Sequence, residues 1–177
     1  MVDNKNDLSR FLMQSTLGAS KKTIDHVYRL GKEQWLDQQL QSSVNIKEGY
    51  EFKTTEIWNF FRKKLKETHG ERAINSDGND PALPYEWYFQ MGWWNQVLSA
   101  SYDSDSLLRH RIAQALSEVL VVSQNSQLDL ESVALANYYD IFYRHAFGSY
   151  ADIFPILKTS IPIGFQDATR RQVSEAL

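Results

Sequence analysis

The stretch "LLRHRIAQALSEVL", Leu107 to Leu120, decides the fold. Leu108, Ile112, Ala115, Leu116 and Val119 recur at three- and four-residue intervals, the spacing that gathers side chains on one helix face. Asp103 or Ser104 stands where an N-cap belongs. Arg109, His110 and Arg111 interrupt this helix near its start. At 100° per residue the three fan across most of the circumference, so they cannot form one cluster.

Working outward, the same period returns. Upstream, "YEWYFQMGWWNQVLSA" starts after Pro84 and places Trp87, Met91, Trp94 and Leu98 on one narrow stripe, expected to be core. Phe89, Trp93 and Val97 widen that stripe, and Tyr88 falls on the opposite side, toward solvent. Before it, "TTEIWNFFRKKLKETHG" carries an Ile57, Phe60, Phe61, Leu65 stripe and stops at Gly70. Near the N-terminus, "DLSRFLMQSTLG" reads as a short helix. "SKKTIDHVYRLG" follows, capped by Ser20 and stopped at Gly31, and "KEQWLDQQLQSS" makes it a helical hairpin. Downstream, "LDLESVALANYYDIFYRHAFG" is apolar nearly all round and is expected to be the most buried helix.

"ERAINSDGNDPAL" is a long polar loop. After Phe154 two prolines and a glycine fall close together, and a weak helix, "QDATRRQVSEAL", ends the chain. No run alternates as a strand does. The expected class is all-α, an irregular bundle of about six to eight helices with one long polar loop. The expected division is a helical domain over 1–154 and a divergent tail over 155–177.

Composition removes several functions. The 177 residues include no cysteine, which excludes disulfides, thiolate metal sites and cysteine nucleophiles. The formal charge is −3 with bases and acids dispersed, and "FRKKLK" reads as the wet face of a helix, so no nucleic-acid partner is expected. No apolar run is long enough for a signal peptide or a membrane span. No cofactor fingerprint appears, and the four histidines, His26, His69, His110 and His145, lack the spacing of a helical metal site, so neither cofactor nor metal is expected. "NSDGND" lacks the spacing of a calcium loop.

The candidate catalytic residues are Arg109, His110, Arg111, Asp140 and His145. The arginines read as register-fixing pairs with acids, Asp140 or Glu118, because the guanidinium fork matches a carboxylate. The competing reading is an anion or acidic-sugar site. Asp140 and Arg144 are spaced to pair along one helix, and His145 suits a helix C-terminus. Tyr88 and Trp93 are the candidate ligand-binding residues, since an exposed aromatic can stack on a sugar or hold a cation.

Four elements carry a resemblance: "RFLMQSTLG" at 10–18, the Trp35–Leu36 pair, "LRHR" at 108–111 and "AFG" at 146–148. In this order they resemble the N-terminal part of a bacterial family, the domain of unknown function eighteen-hundred family. The resemblance implies an α-helical, often exported protein with no established activity, often encoded beside a sulfatase-like family. The family continues into a longer helical region with a Pro-x-Glu-Asn-Tyr-Ala-Arg-Glu motif, which the tail lacks, so the chain reads as a truncated or divergent member. The expected function is a structural or interaction module whose partner is another protein or that C-terminal region. Its surplus of Trp, Tyr and Phe is expected to leave an exposed apolar patch. The alternative is a hydrolase-like enzyme acting on a carbohydrate or sulfated substrate, which requires Arg109 or Arg111, His110, His145 and Asp140 to converge on one open cleft.

Overall fold

The computed structural model describes residues 4–70, 83, 85–99, 103–121 and 132–160. Among these are eight α-helices and one 3-10 turn, and no strand. The segments 71–82 and 161–177, which hold most of the polar loop, "NSDGND" and the tail helix, lie outside the described residues.

Three short helices open the chain: α1 (Lys5–Ser15), α2 (Lys21–Leu30) and α3 (Lys32–Gln41). The Ser20 hydroxyl accepts from the Thr23 N–H at 3.1 Å and starts α2 as its sequence predicts. Gly31 has φ 93°, a conformation costly for any residue with a Cβ, and turns the chain from α2 into α3. Leu8, Leu12, Val27 and Trp35 close a small core beneath this trio, with Phe11 set edge-on to Trp35 at 5.7 Å.

After the 3-10 turn Ile46–Glu48, α4 (Tyr50–His69) begins one turn earlier than its apolar stripe suggests and ends at Gly70. Helix α5 (Glu86–Ser99) runs antiparallel to it. Phe61 meets Trp87 and Tyr88 at one end of the pair, and Gly92 meets Thr54 toward the other. A Cβ on Gly92 would stand 2.5 Å from Thr54 Oγ1, so glycine is what lets the two backbones close. Helices α6 (Leu107–Val119), α7 (Ser132–Arg144) and α8 (Tyr150–Ser160) complete the bundle. Helix α7 is its centre, packing on α4, α5, α6 and α8, with Leu135, Ala136, Ile141, Phe142 and Tyr143 buried. Helix α6 joins the two cores, giving Leu107 to one and Ala113 to the other. Helix α8 passes through Phe154 and Pro155 to Ser160, because Ile153 and Leu157 bury its inner side while Pro155 faces outward.

Two expected faces, on α5 and α6, are rotated, and one side chain of the α4 stripe departs from it. On α5 the stripe Trp87, Met91, Trp94, Leu98 is outside and Tyr88, Phe89, Gly92 and Gln96 are inside. Gly92 explains the inversion, since only that face can approach α4 closely. On α6 the inner face is Arg109, His110, Ala113 and Ser117, while Ala115 and Val119 are exposed, because the polar side chains find partners inside. On α4 Ile57, Phe61 and Leu65 are half-buried as expected, in line with the deeply buried Tyr50 and Thr54, and only Phe60 is exposed.

Candidate functional site

Arg109, His110 and Asp140 are brought to one buried neighbourhood around Tyr50 and Tyr143, with a distinct geometric role for each. Asp140, on α7, lies at the start of α4. Its Oδ1 accepts from the Tyr50 N–H at 2.6 Å and its Oδ2 from the Glu51 N–H at 3.2 Å. The α4 N-cap residue is Gly49, which has no side chain to offer, so a carboxylate 90 residues away caps the helix instead. A Cβ on Gly49 would stand 2.8 Å from Asp140 Oδ2. Burial pushes the Asp140 carboxyl up to about 6, against the opposing pull of the Tyr50 and Glu51 N–H groups and of Arg144. Arg144 Nη2 lies 3.8 Å from Asp140 and 3.6 Å from Glu51, so the pair spaced along α7 does form.

Arg109 serves the C-terminal end of α7. Its Nη1 donates to the carbonyls of Tyr143 at 3.3 Å and Arg144 at 3.5 Å, the last residues of that helix. Its Nη2 donates to the Ser42 carbonyl at 2.8 Å, and its guanidinium lies 4.4 Å from the centre of the Phe147 ring. A cation belongs at a helix C-terminus, where carbonyls are unpaired. Burial lowers the Arg109 pKa from its ordinary value. Arg111, turned away, donates from Nε to the Gln14 carbonyl at 3.1 Å in the last turn of α1, and from Nη1 to Gln114 Oε1 at 2.8 Å. The partners of both arginines are therefore backbone carbonyls, with the Gln114 amide for Arg111, and not the acids their sequence suggests.

His110 is the hub. Its Nε2 accepts from Gln96 Nε2 at 2.9 Å, an atom that can only donate, which places the imidazole proton on Nδ1, facing the Tyr50 hydroxyl at 3.4 Å. The ring stacks on Tyr143 at 4.6 Å. Burial, with Arg109 alongside, depresses its pKa to about 3, so the ring is neutral at physiological pH. Burial also raises the Tyr50 hydroxyl and pushes the Tyr143 hydroxyl up to about 12, which leaves both protonated. His145 is half-buried beyond the end of α7, its N–H bonded to the Ile141 carbonyl at 3.1 Å.

Sequence reasoning missed Gln39 and Gln96. Gln39 is buried on α3; its Oε1 accepts from the Leu108 N–H at 3.0 Å in the first turn of α6, and its Nε2 donates to the Ser104 carbonyl at 2.9 Å. It is the fourth helix end held by a side chain from a distant helix, after those held by Asp140, Arg109 and Arg111. Only a glutamine among leucine-spaced positions hinted at it.

A polar cleft of about 590 Å³ lies between the α3–α4 and α5–α6 connections, lined by Ser42, Asn45, Glu48, Asp103, Ser104 and Ser106 among others. Glu48 is saturated within it by Ser104, Ser106 and Asn45. None of Arg109, His110, Arg111, Asp140 and His145 lines this cleft. No group of three His, Asp or Glu side chains among the described residues is placed to hold a metal ion, and no described helix is long and apolar enough to cross a membrane.

Of the two aromatic candidates, Tyr88 is fully buried and Trp93 is partly buried against the main core. The exposed aromatic surface lies instead on the outer side of α5. Trp87 is 37%, Met91 39%, Trp94 56% and Leu98 80% exposed. Phe60 of α4, 58% exposed, extends this surface through Phe61 to Trp87, with ring centres 5.5 and 6.3 Å apart.

No curated protein and no solved structure matches the chain. The model of one family, described as protein of unknown function (DUF1800), matches residues 10–160, a span that holds all four motifs and every described helix but the first turn of α1. The chain therefore belongs to the DUF1800 family of proteins of unknown function.

Proposed function

We propose that the chain is a non-catalytic helical assembly module of a larger, exported protein, and that it docks through the outer face of α5. One observation carries this reading: Trp87, Met91, Trp94 and Leu98 of α5 face solvent while Tyr88, Phe89, Gly92 and Gln96 face the core. Burying large aromatics inside is the cheaper arrangement for a chain that acts alone. The buried polar residues fit the same reading. Arg109, Asp140 and Gln39 hold backbone groups at helix ends, and the neutral His110 holds Gln96 and Tyr50, which stiffens the frame that presents α5.

The test is Leu98→Asp in the full chain, measured by urea unfolding and by binding of an apolar fluorescent dye. A docking face predicts, in dilute monomeric chain, an unfolding midpoint close to the unmodified chain's and weaker dye binding. A core position predicts a loss of about 2–5 kcal/mol, which overturns the reading.

A further inference from the structure

We infer that the outer face of α5 pairs with the same face of a second copy of this chain, the two α5 helices lying antiparallel across a two-fold axis. The inference rests on the docking reading above and names its occupant.

Three observations select a second copy. The first is spacing. Trp87, Met91, Trp94 and Leu98 are separated by four, three and four residues, the alternation of a coiled-coil seam, and α5 carries no charge after Glu86. A helix with that seam and no charge along it is complementary to itself. The second is area. The exposed parts of these four side chains and of Phe60 amount to roughly 550 Å² per copy, or about 1,100 Å² for a pair before any polar rim is added. A specific interface needs about 1,000 Å² or more.

The third is charge, which also fixes the direction. Helix α4 runs antiparallel to α5, so its C-terminal part, with Arg62, Lys63, Lys64 and Lys66 against Glu67, flanks the α5 N-terminus and its Glu86, which leaves base in excess. At the other end stand Glu48, Glu51, Asp103, Asp105 and Asp140 against Lys47, Lys53, Arg109 and Arg144, which leaves acid in excess. A parallel pair sets basic end on basic end. An antiparallel pair sets each basic end beside the partner's acidic one, and α5, about 21 Å long, holds the like ends apart. Gly92 contributes rigidity, because the backbone contact with Thr54 behind it fixes the seam in place.

The test is sedimentation equilibrium of the full chain across a concentration series, with Leu98→Asp and Trp94→Asp alongside and circular dichroism to confirm folding. The expected result is a reversible dimer of twice 20.6 kDa. Either variant should raise its dissociation constant at least tenfold. Direction is read from cysteine variants, which have no background because the chain has no cysteine. Mixed Trp87→Cys and Leu98→Cys chains should form the mixed disulfide, and neither alone should form one. A monomer whose dye binding falls in Leu98→Asp overturns the second copy and leaves docking to another protein standing. A monomer with no such dye effect overturns both. A dimer indifferent to both variants, or homodisulfides from each single variant, overturns the antiparallel α5 pair.

Discussion

Replacing Asp140 by Asn gives the sharpest reading of the buried network. The wild-type carboxyl titrates near 6 in the folded chain against 3.8 when unfolded. Between those values the folded state binds more protons than the unfolded one. Asp140 therefore contributes least above pH 6, and stability gained through it accumulates as the pH falls toward 3.8. The full effect is about 3 kcal/mol, at 1.36 kcal/mol per pKa unit. Asparagine keeps a carbonyl for the Tyr50 N–H, loses the bond to Glu51, and has nothing to titrate. At pH 7 the variant should fall within about 1–2 kcal/mol of the wild type, the value of one such bond. At pH 4 the gap should widen by about 2.4 kcal/mol, the part of that effect reached at this pH. His110 runs the other way, since its folded pKa is depressed from 6.5 to about 3 and stability is lost as the pH falls through that window. In the wild type these two trends largely offset between pH 6 and 4. In the variant the histidine stands alone, and stability should drop by about 1.4 kcal/mol per pH unit. The assay is urea unfolding of both chains at pH 7, 5 and 4. A gap that does not change with pH refutes the claim that burial holds this carboxyl against ionisation.

Other predictions follow from single contacts. Gly92→Ala should destabilise the chain by about 1–3 kcal/mol despite alanine's better helix propensity, because its Cβ meets Thr54 at the α4 backbone; thermal unfolding reads this. Thr54→Val should be neutral or stabilising by about 1 kcal/mol, since the buried Thr54 hydroxyl has no hydrogen-bond partner, and a loss above 1 kcal/mol contradicts it. Arg109→Lys should cost about 2–4 kcal/mol in urea unfolding, because one ammonium cannot reach the Ser42, Tyr143 and Arg144 carbonyls together. Its hydrogen exchange should quicken first at the C-terminal turn of α7.

The elements were far more legible than their orientations. Ser20 and Gly31 mark the α2–α3 hairpin because caps and positive φ have their own residue preferences. Helix α7 is recognisable as central because apolar residues surround it. Helix α5 was not readable by hydropathy, since it too is apolar on nearly every side and a stripe can be drawn on either. Its signal was Gly92, a backbone approach set among aromatics. On α6 the inner face is the polar one, so any rule that turns charge outward inverts it. The tie between Asp140 and α4 spans 90 residues and ends on backbone atoms, which have no identity in sequence. The same holds for Arg109, Arg111 and Gln39: a side chain that caps a distant helix leaves no pattern at its partner. The four family motifs were legible as a set, because their order over some 140 residues is more specific than any one of them.

The inside of α5 is its Tyr88, Phe89, Gly92 and Gln96 face, which leaves the stripe of Trp87, Met91, Trp94 and Leu98 as the proposed docking face. The most direct test replaces the whole stripe, Trp87, Met91, Trp94 and Leu98, by glutamine in one chain and records its urea unfolding. A cooperative transition, with a free energy within about 2 kcal/mol of the unmodified chain, is the result this account predicts. A chain that fails to fold, or loses cooperativity, would show that the stripe is core and that the function must be sought elsewhere on the molecule.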